Sequence, residues 1–504
     1  MTFAPVFTVA GARAIEARAA AIEANASPAA ATRHGGSHAE LSLMSRAGAA
    51  AARCAIRQMD ATRPGRVLAV AGPGNNGGDA IAAASVLRAQ GLPTEVLLVG
   101  DAARLPADAA NAARHWQAGG GTFLQRVPHT CPTLILDGLF GIGLSRAIDG
   151  DMARLIEAIN QLAGPVLALD VPSGIQGDSG AIMGCAIRAA ATITFIGLKP
   201  GLLTLDGPDH AGVIEVASLD LSPDTLGSAE GILIDHTVLA QIPTTRPRNF
   251  HKGHAGTTSV LGGASGMVGA ALLSGLAALR LGAGKVLVGL LGDDCPSVDA
   301  TTPELMLVPP AIALLQADVI AAGPGLGTSL RARTLLAQAI ARAVPIVLDA
   351  DALTVIARDP RLQAAVSART QATLLTPHPA EAARLLGTET ARVQHDRLGA
   401  AQQLACRFNA TVILKGNGSI VAAPRKPFAI IGSGNPGMAA AGMGDCLTGI
   451  LAALLAQGAD PLDAARAGAW LHGAAGDRCA ARLAPIGISA TEVANEARHL
   501  LLSR

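Results

Sequence analysis

Val67-Leu-Ala-Val-Ala-Gly-Pro-Gly-Asn-Asn-Gly-Gly-Asp79 is the stretch on which the fold turns. Five small aliphatic residues in a row read as a strand buried on both faces, and the glycines that follow read as a tight turn opening a helix. A strand, a glycine turn and a helix make the first step of a parallel βαβ unit. Gly72, Gly74 and Gly77 satisfy G-x-G-x-x-G, which lets main-chain amides approach a phosphate at a helix N-terminus. That spacing alone is weak, because a turn needing positive φ, with Asp79 as helix cap, would also explain it. Asn75, Asn76 and Asp79 go further: two amides and a carboxylate in one loop offer oxygen ligands to a hard cation or a hydroxyl-bearing substrate.

Outward from this loop, both halves of the chain alternate short Val/Ile/Leu runs with Ala-rich helical stretches. In the first half the strands expected are 67–71, 95–99, 133–136, 166–169 and 191–196. In the second half they are 257–261, 285–288, 319–322, 346–348, 372–375 and 412–414. The segment Leu221 to Arg248 is rich in Ser, Pro, Asp and Gly and places a domain boundary near it, giving domains 1–225 and 226–504. Gly-Pro-Gly recurs after an apolar strand, at Gly72 and again at Gly323 to Gly325, and marks strand ends where open α/β sheets bind ligands.

Composition narrows the partners. With 39 Lys+Arg against 38 Asp+Glu and 2% aromatic residues, the 504-residue chain has no field or stacking platform for nucleic acid. The longest stretch free of charged residues, Gly253 to Leu279, is broken by seven glycines and reads as strand, loop and buried helix, so no membrane span is expected. The N-terminus lacks the continuous apolar region of a secretory signal and reads as an exposed or docking helix. Seven cysteines without pairing logic point to free thiols in a reducing cytoplasm. Only five lysines stand against 34 arginines, so Lys199, Lys252, Lys285, Lys415 and Lys426 become candidates for specific work.

Two further strand ends in the first half carry acid groups: Leu136-Asp137-Gly138-Leu139-Phe140-Gly141-Ile142-Gly143-Leu144 and Leu169-Asp170-Val171-Pro172-Ser173-Gly174. In a parallel sheet they converge with the Asn75 loop on one edge. These motifs, with Leu43-Met44-Ser45-Arg46-Ala47-Gly48, resemble the NAD(P)H-hydrate epimerase family over about residues 10 to 220. The resemblance implies a Rossmann-like three-layer sandwich that interconverts the R and S forms of nicotinamide nucleotides hydrated at ring carbon 6, NADHX and NADPHX. It implies potassium held by Asn76, Asp137 and Ser173. It further implies substrate held by Asn75, Asn76, Gly77, Gly78 and Asp79, by Gly141, Ile142, Gly143, Leu144, Ser145, Arg146 and Ala147, and by Asp170. Inverting a hydroxyl-bearing carbon needs a proton shuttle, for which Asp170 is the acid/base candidate and Lys199 its partner. Ser45 replaces the family's Glu, and extra residues stand between Ala24 and Leu41; both are expected away from the site loops.

In the second half, Asn435-Pro-Gly-Met-Ala-Ala-Ala-Gly-Met-Gly-Asp445 precedes an apolar run from Cys446 to Leu455 that reads as a buried helix. Its glycines permit a turn whose amides point outward to an anion, with Asp445 as the base for an attacking hydroxyl. This resembles the ribokinase-like fold. His251-Lys-Gly-His-Ala-Gly256, Gly323-Pro-Gly-Leu-Gly327, Asp349-Ala-Asp351-Ala, Thr376-Pro-His378-Pro-Ala380-Glu381 and Lys415-Gly-Asn-Gly-Ser419 then resemble the NAD(P)H-hydrate dehydratase family over about residues 240 to 500. Ala380 and Ser419 depart from its usual Gly and Thr. The resemblance implies that ADP with magnesium phosphorylates the hydrate, phosphate leaves, and NADH or NADPH returns with AMP as by-product. Lys415, Gly416, Asn417, Gly418, Ser419 and Gly444 would contact the nucleotide; Ala270, Gly325, His378 and Asp445 would contact the hydrate. Glu381 reads equally as a first-turn carboxylate or a magnesium-site member.

The expectation is therefore a two-domain α/β enzyme, a cytoplasmic homo-oligomer that repairs hydrated nicotinamide nucleotides. Its rivals are a ribokinase-like small-molecule kinase with a nucleotide-binding regulatory domain, and a nucleotide sensor without turnover.

Overall fold

The computed structural model describes residues 3–25, 42–59, 65–128, 131–243, 245–482 and 484–502. From residue 4 onward the chain divides into two compact units, Ala4–Glu230 and Gly231–Arg504.

In the first unit seven strands pair in parallel. Their order is Phe123–Leu124, Thr94–Leu98, Val67–Ala71, Leu134–Gly138, Val166–Leu169, Ala191–Phe195 and Val213–Ala217. The chain moves outward from Val67–Ala71 in one direction, then returns to lay Leu134–Gly138 on its other side. A crevice therefore opens where the carboxyl ends of those two strands diverge. All five residues of Val67–Ala71 are buried, as a strand covered by helices on both faces requires. Val67, Ala69 and Ala71 pack in one cluster with Ala80, Ile81 and Ala84 of the helix Asn75–Ala89. Leu68 and Val70 pack in the other with Ile156 and Ile159 of the helix Gly150–Asn160. This is the three-layer sandwich expected. Each aliphatic side chain so buried contributes about 1.5–3 kcal/mol.

The helix Val9–Asn25 buries Ala12, Ile15 and Ala19, spaced at helical intervals, and carries Arg13 and Glu16 off that packed face. It docks on its own unit. The extra residues after Ala24 lie, from 26 to 41, outside the described residues.

In the second unit the strands run in the order Gly231–Ile234, Phe428–Ile431, Ile420–Ala422, Thr411–Leu414, Thr373–Leu375, Ile346–Leu348, Val319–Ala322, Thr257–Gly262, Lys285–Leu290 and Met306–Val308. The strands expected from sequence pair with one another in parallel, whereas Ile420–Ala422, which was not among them, pairs antiparallel with both of its neighbours. The reason lies in connection length: five residues separate Leu414 from Ile420, enough for a hairpin and too few for a crossover helix. Gly231–Ile234, within the stretch read as a boundary, pairs in parallel with Phe428–Ile431.

The helix Met443–Ala456 is buried from Cys446 to Leu455 and packs on the sheet and on the helix Val268–Arg280. A helix apolar all round has to be an interior one. No helix among the described residues is long and apolar enough to cross a membrane. All seven cysteines are free; Cys54, Cys446 and Cys479 are buried, whereas Cys131 and Cys406 are exposed.

Candidate functional sites

The first unit holds a cavity of about 780 Å³ at its crevice. Of the expected substrate residues, Asn75, Asn76, Asp79, Gly141, Ile142, Gly143, Leu144, Ser145, Arg146 and Asp170 line it. Gly77, Gly78 and Ala147 do not, although the first two belong to the loop that shapes it. Gly72 allows this closeness: a Cβ there would stand 1.9 Å from the Leu139 carbonyl oxygen. Asp79 is no cap, because Gly74 holds that position and Asp79 is the fifth helical residue.

Asp170 follows its strand with φ +65°, a conformation that non-glycine residues adopt sparingly. Its Oδ1 accepts from the Lys199 ammonium, from Thr194 Oγ1 at 3.2 Å and from the Phe195 amide at 3.2 Å. Lys199, 2% exposed, also donates to Phe195 O at 2.7 Å and to Thr194 Oγ1 at 3.0 Å. The pair expected from sequence is thus a buried ion pair on the wall of the cavity.

Asp137 and Ser173 come together: Ser173 Oγ donates to Asp137 Oδ1 at 2.6 Å and its amide to Oδ2 at 2.8 Å. Burial pushes the Asp137 carboxyl up to about 6 against those hydrogen bonds. Asn76 is buried, and neither its Oδ1 nor its Nδ2 has a hydrogen-bond partner among the described residues. An orphaned amide oxygen beside a buried carboxylate and a hydroxyl is a donor set suited to a hard monovalent cation.

Sequence reading missed Arg13, Glu16, Asp108, Met44 and Phe195, all of which line the cavity. Leu43, Met44 and Ala47 also correct the expectation that the segment around Ser45 lies away from the site. Ser45 itself sits in the first helical turn, its amide donating to the capping Ser42 Oγ at 3.3 Å. Burial, followed by the charge of Asp170, pushes the Glu16 carboxyl up. Burial and then Asp170, Glu16 and Asp108 push Asp79 well above the ordinary carboxylate range, with Lys199 acting the other way.

In the second unit the carboxyl ends of neighbouring strands bring Asp349, the Thr376–His378 turn and Lys415 together. Lys415 Nζ donates to Asp349 Oδ1 at 2.7 Å and stands 4.0 Å from Glu381 Oε2. Asp349 is 1% exposed and accepts from Thr448 Oγ1 at 2.8 Å. Burial opposes the charge on Lys415, but Asp349 and Glu381 outweigh it and hold the ammonium above its usual value.

Gly442, with φ +88°, starts the helix carrying Asp445, so Asp445 is not the cap. A Cβ on Gly444 would lie 3.2 Å from Lys415 Nζ and 3.4 Å from Asp349 Oδ2, which places the helix N-terminus against the ion pair. Burial and then Asp349 push the Asp445 carboxyl up to about 6, with Asp351 adding and Lys415 opposing.

Ala270 and Gly325 adjoin: a Cβ on Gly325 would meet that of Ala270 at 3.2 Å. His378 caps the helix Pro379–Leu386, its Nδ1 accepting the Ala380 amide at 3.1 Å, while Glu381 Oε2 accepts the His378 amide at 2.8 Å. That capping box gives Glu381 the first-turn role of its two readings. In the Lys415–Ser419 loop Ser419 Oγ donates to the Gly416 carbonyl at 3.0 Å. Of the five lysines, Lys252 and Lys426 are exposed and Lys285 is half-buried, whereas Lys199 and Lys415 are each ion-paired to a strand-end aspartate.

Three more residues of this unit escaped sequence reading. Asp349 was quoted within a motif and given no role. Arg397, 1% exposed, donates to the Lys415 carbonyl at 3.4 Å. His472, driven down to about 4 by burial and by Lys415, is neutral and packs beside Met443. Only the Asp-Ala-Asp-Ala pattern offered a local signal; the other two lie on helices whose composition is unremarkable.

Two α/β units, each with a lysine–carboxylate pair at its sheet's carboxyl edge, define a chain with two candidate sites. The model of the YjeF-related protein N-terminus matches residues 40–201, and that of NAD(P)H-hydrate dehydratase matches residues 258–498. A bifunctional NAD(P)H-hydrate repair enzyme of Coxiella burnetii is 37% identical over 90% of this chain and 93% of its own length. One from Escherichia coli is 38% identical over 90% and 87%. An ADP/ATP-dependent NAD(P)H-hydrate dehydratase of Bacillus subtilis, crystallised with ATP and Mg2+, covers 53% of this chain and 96% of its own at 28% identity and TM-score 0.48.

The chain belongs to the family of bifunctional NAD(P)H-hydrate repair enzymes. It joins an N-terminal epimerase to a C-terminal dehydratase.

Proposed function

We propose that the N-terminal cavity takes NADHX or NADPHX and inverts ring carbon 6, while the C-terminal site dehydrates the S form with ADP and magnesium, giving AMP and phosphate. What carries this reading is the presence, in one chain, of two strand-end sites that each set an aspartate beside a glycine-opened helix N-terminus. The boundary between the two activities lies in the 221–248 segment.

In the N-terminal site Asn75 to Asp79, Gly141 to Ala147 and Asp170 hold the hydrate, and Asp170, oriented by Lys199, moves a proton at the carbon-6 hydroxyl. Asn76, Asp137 and Ser173 hold potassium, whose charge, when bound, offsets the buried Asp137 carboxylate. In the C-terminal site Lys415 to Ser419 and Gly444 hold the nucleotide, and magnesium comes with its phosphates. Ala270, Gly325 and His378 position the hydrate, and Asp445 takes the proton from its hydroxyl as the phosphoryl group arrives. The Gly444 amide at the helix N-terminus stabilises charge on that group.

Incubating the full chain with purified R or S hydrate, ADP and magnesium, and following the near-ultraviolet absorbance of the reduced nicotinamide, tests both halves. Absorbance should rise at once from S and after a lag from R, with AMP and phosphate formed in step. A stable phosphorylated product would mark a kinase instead. Replacing potassium by lithium at constant ionic strength should slow the R arm alone. The cytoplasmic homo-oligomer is part of the same proposal; light scattering on the purified chain reads its assembly state.

A further inference from the structure

Inversion at ring carbon 6 moves a hydroxyl from one face of the ring to the other. Carbon 6 is bonded to the ring nitrogen N1, whose lone pair can expel the hydroxyl once that oxygen is protonated. Departure on one face needs an acid, and arrival of water on the other needs a base. One carboxyl cannot serve both faces of a planar intermediate at once. Elimination and re-addition of water across the two faces therefore calls for two groups on different walls.

Asp170 stands at the end of the strand Val166–Leu169, its charge fixed by Lys199, Thr194 Oγ1 and the Phe195 amide. Asp79 comes from a separate wall, the helix Asn75–Ala89, and lines the same cavity. No hydrogen bond or ion pair to the Asp79 carboxyl is found among the described residues. Asp170 is thus held in place by three donors, and nothing comparable ties Asp79.

We propose that Asp79 is a second catalytic residue of the epimerase, the acid that faces Asp170 across the ring in an elimination–addition of water. The proposal rests on the placement of the hydrate in this cavity. Asp79 gives its proton to the carbon-6 hydroxyl; the C6–O bond breaks as the N1 lone pair forms C6=N1, and water leaves. Water then adds to the opposite face, Asp170 takes its proton, the C6–O bond forms and the electron pair returns to N1. The enzyme ends with Asp170 protonated and Asp79 ionised, the state that runs the reverse inversion. Proton exchange with solvent resets it.

The groups facing Asp79 agree with an acid role. Glu16 from the N-terminal helix, Asp108 and Asp170 are negative, and Lys199 is the positive group, already bound to Asp170. Burial and those three carboxylates favour the protonated Asp79.

The test is inversion of purified R hydrate by the full chain in water enriched in oxygen-18, without ADP. Each inversion should place one heavy oxygen on carbon 6. Inversion without label would overturn the proposal, because ring opening and reclosure could then retain the oxygen; absence of any inversion would instead remove the epimerase placement. In Asp79→Asn, inversion should fall by roughly 10²–10⁴-fold. Label should still wash into the isomer whose hydroxyl faces Asp170, which also shows the site is folded. Asp79→Asn inverting at the wild-type rate would overturn the assignment.

Discussion

In the N-terminal unit the aspartate that meets a buried lysine lines the cavity, and in the C-terminal unit it is sealed away from solvent. Asp170 keeps 8% of its surface, whereas Asp349 keeps 1% and has a second oxygen bound by Thr448. The same pair, at the same place on a parallel sheet, therefore does different work. Lys199 holds the residue proposed to reach substrate. Lys415 and Asp349 hold each other, and the carboxyl proposed as the base, Asp445, stands beside them on a helix with no hydrogen bond to its side chain among the described residues. Asp170 and Asp349 are each fixed by an ammonium and a hydroxyl, whereas Asp445, without such donors, has its carboxyl raised by burial and by its negative neighbours.

The largest effect should come from removing each reactive carboxyl in turn. Asp445→Asn is expected to lower dehydration of the S hydrate by roughly 10²–10⁴-fold while R-to-S inversion continues. Asp170→Asn should do the reverse. Separate assays of inversion and of AMP release read the two; a variant that silenced both activities would break the comparison.

Next in size is the buried pair of the first unit. Lys199→Met leaves a carboxylate unpaired in the interior, for which about 3–5 kcal/mol of lost stability is expected. Adding Asp170→Asn should restore much of it. Urea unfolding of the single and double variants checks this, and a double no more stable than the single would mean that the pair is not coupled.

Much of this contrast was legible from the chain itself. Val67–Ala71, Val166–Leu169, Val319–Ala322 and Ile346–Leu348 were read to the residue, because an unbroken aliphatic run bounded by glycine or aspartate has few other uses. Several strands of the two sheets were not read, among them the two-residue Phe123–Leu124. Val213–Ala217 has Val213 71% exposed at a sheet edge, so its pattern lacks a buried run. Gly231–Ile234 was hidden in a polar stretch, and Met306–Val308, Ile420–Ala422 and Phe428–Ile431 are short. The strand-end aspartates were legible because the turns that follow them are local. Arg13, Glu16 and Asp108 were not, since only tertiary packing brings a distant helix to the cavity rim.

A smaller effect should separate the sites by pH. As a base, Asp445 works only when ionised, and its carboxyl is held up to about 6 by burial and by Asp349. The kcat/KM for dehydration should therefore level off above that pH and fall about tenfold per unit well below it. A profile flat down to pH values near the ordinary aspartate range would remove the contrast between a free and a pinned carboxyl.

The smallest effect concerns stability, and its sign is opposite for the two aspartates of the second unit. Asp445 holds its proton more tightly folded than unfolded, so between about 4 and 6 the folded state binds the extra proton. Stability falls as pH rises through that window, and above it the ionised carboxylate weighs against the fold. Asp445→Asn should therefore stabilise the C-terminal unit near neutral pH, by on the order of 1–2 kcal/mol, while it destroys activity. Asp349→Asn deprives Lys415 of its partner and should destabilise the same unit. Thermal unfolding of the two variants at neutral and at acid pH reads both signs. If Asp445→Asn were the less stable of the two, the reactive carboxyl would belong with the pinned ones, and the division of labour between neighbouring aspartates would fail.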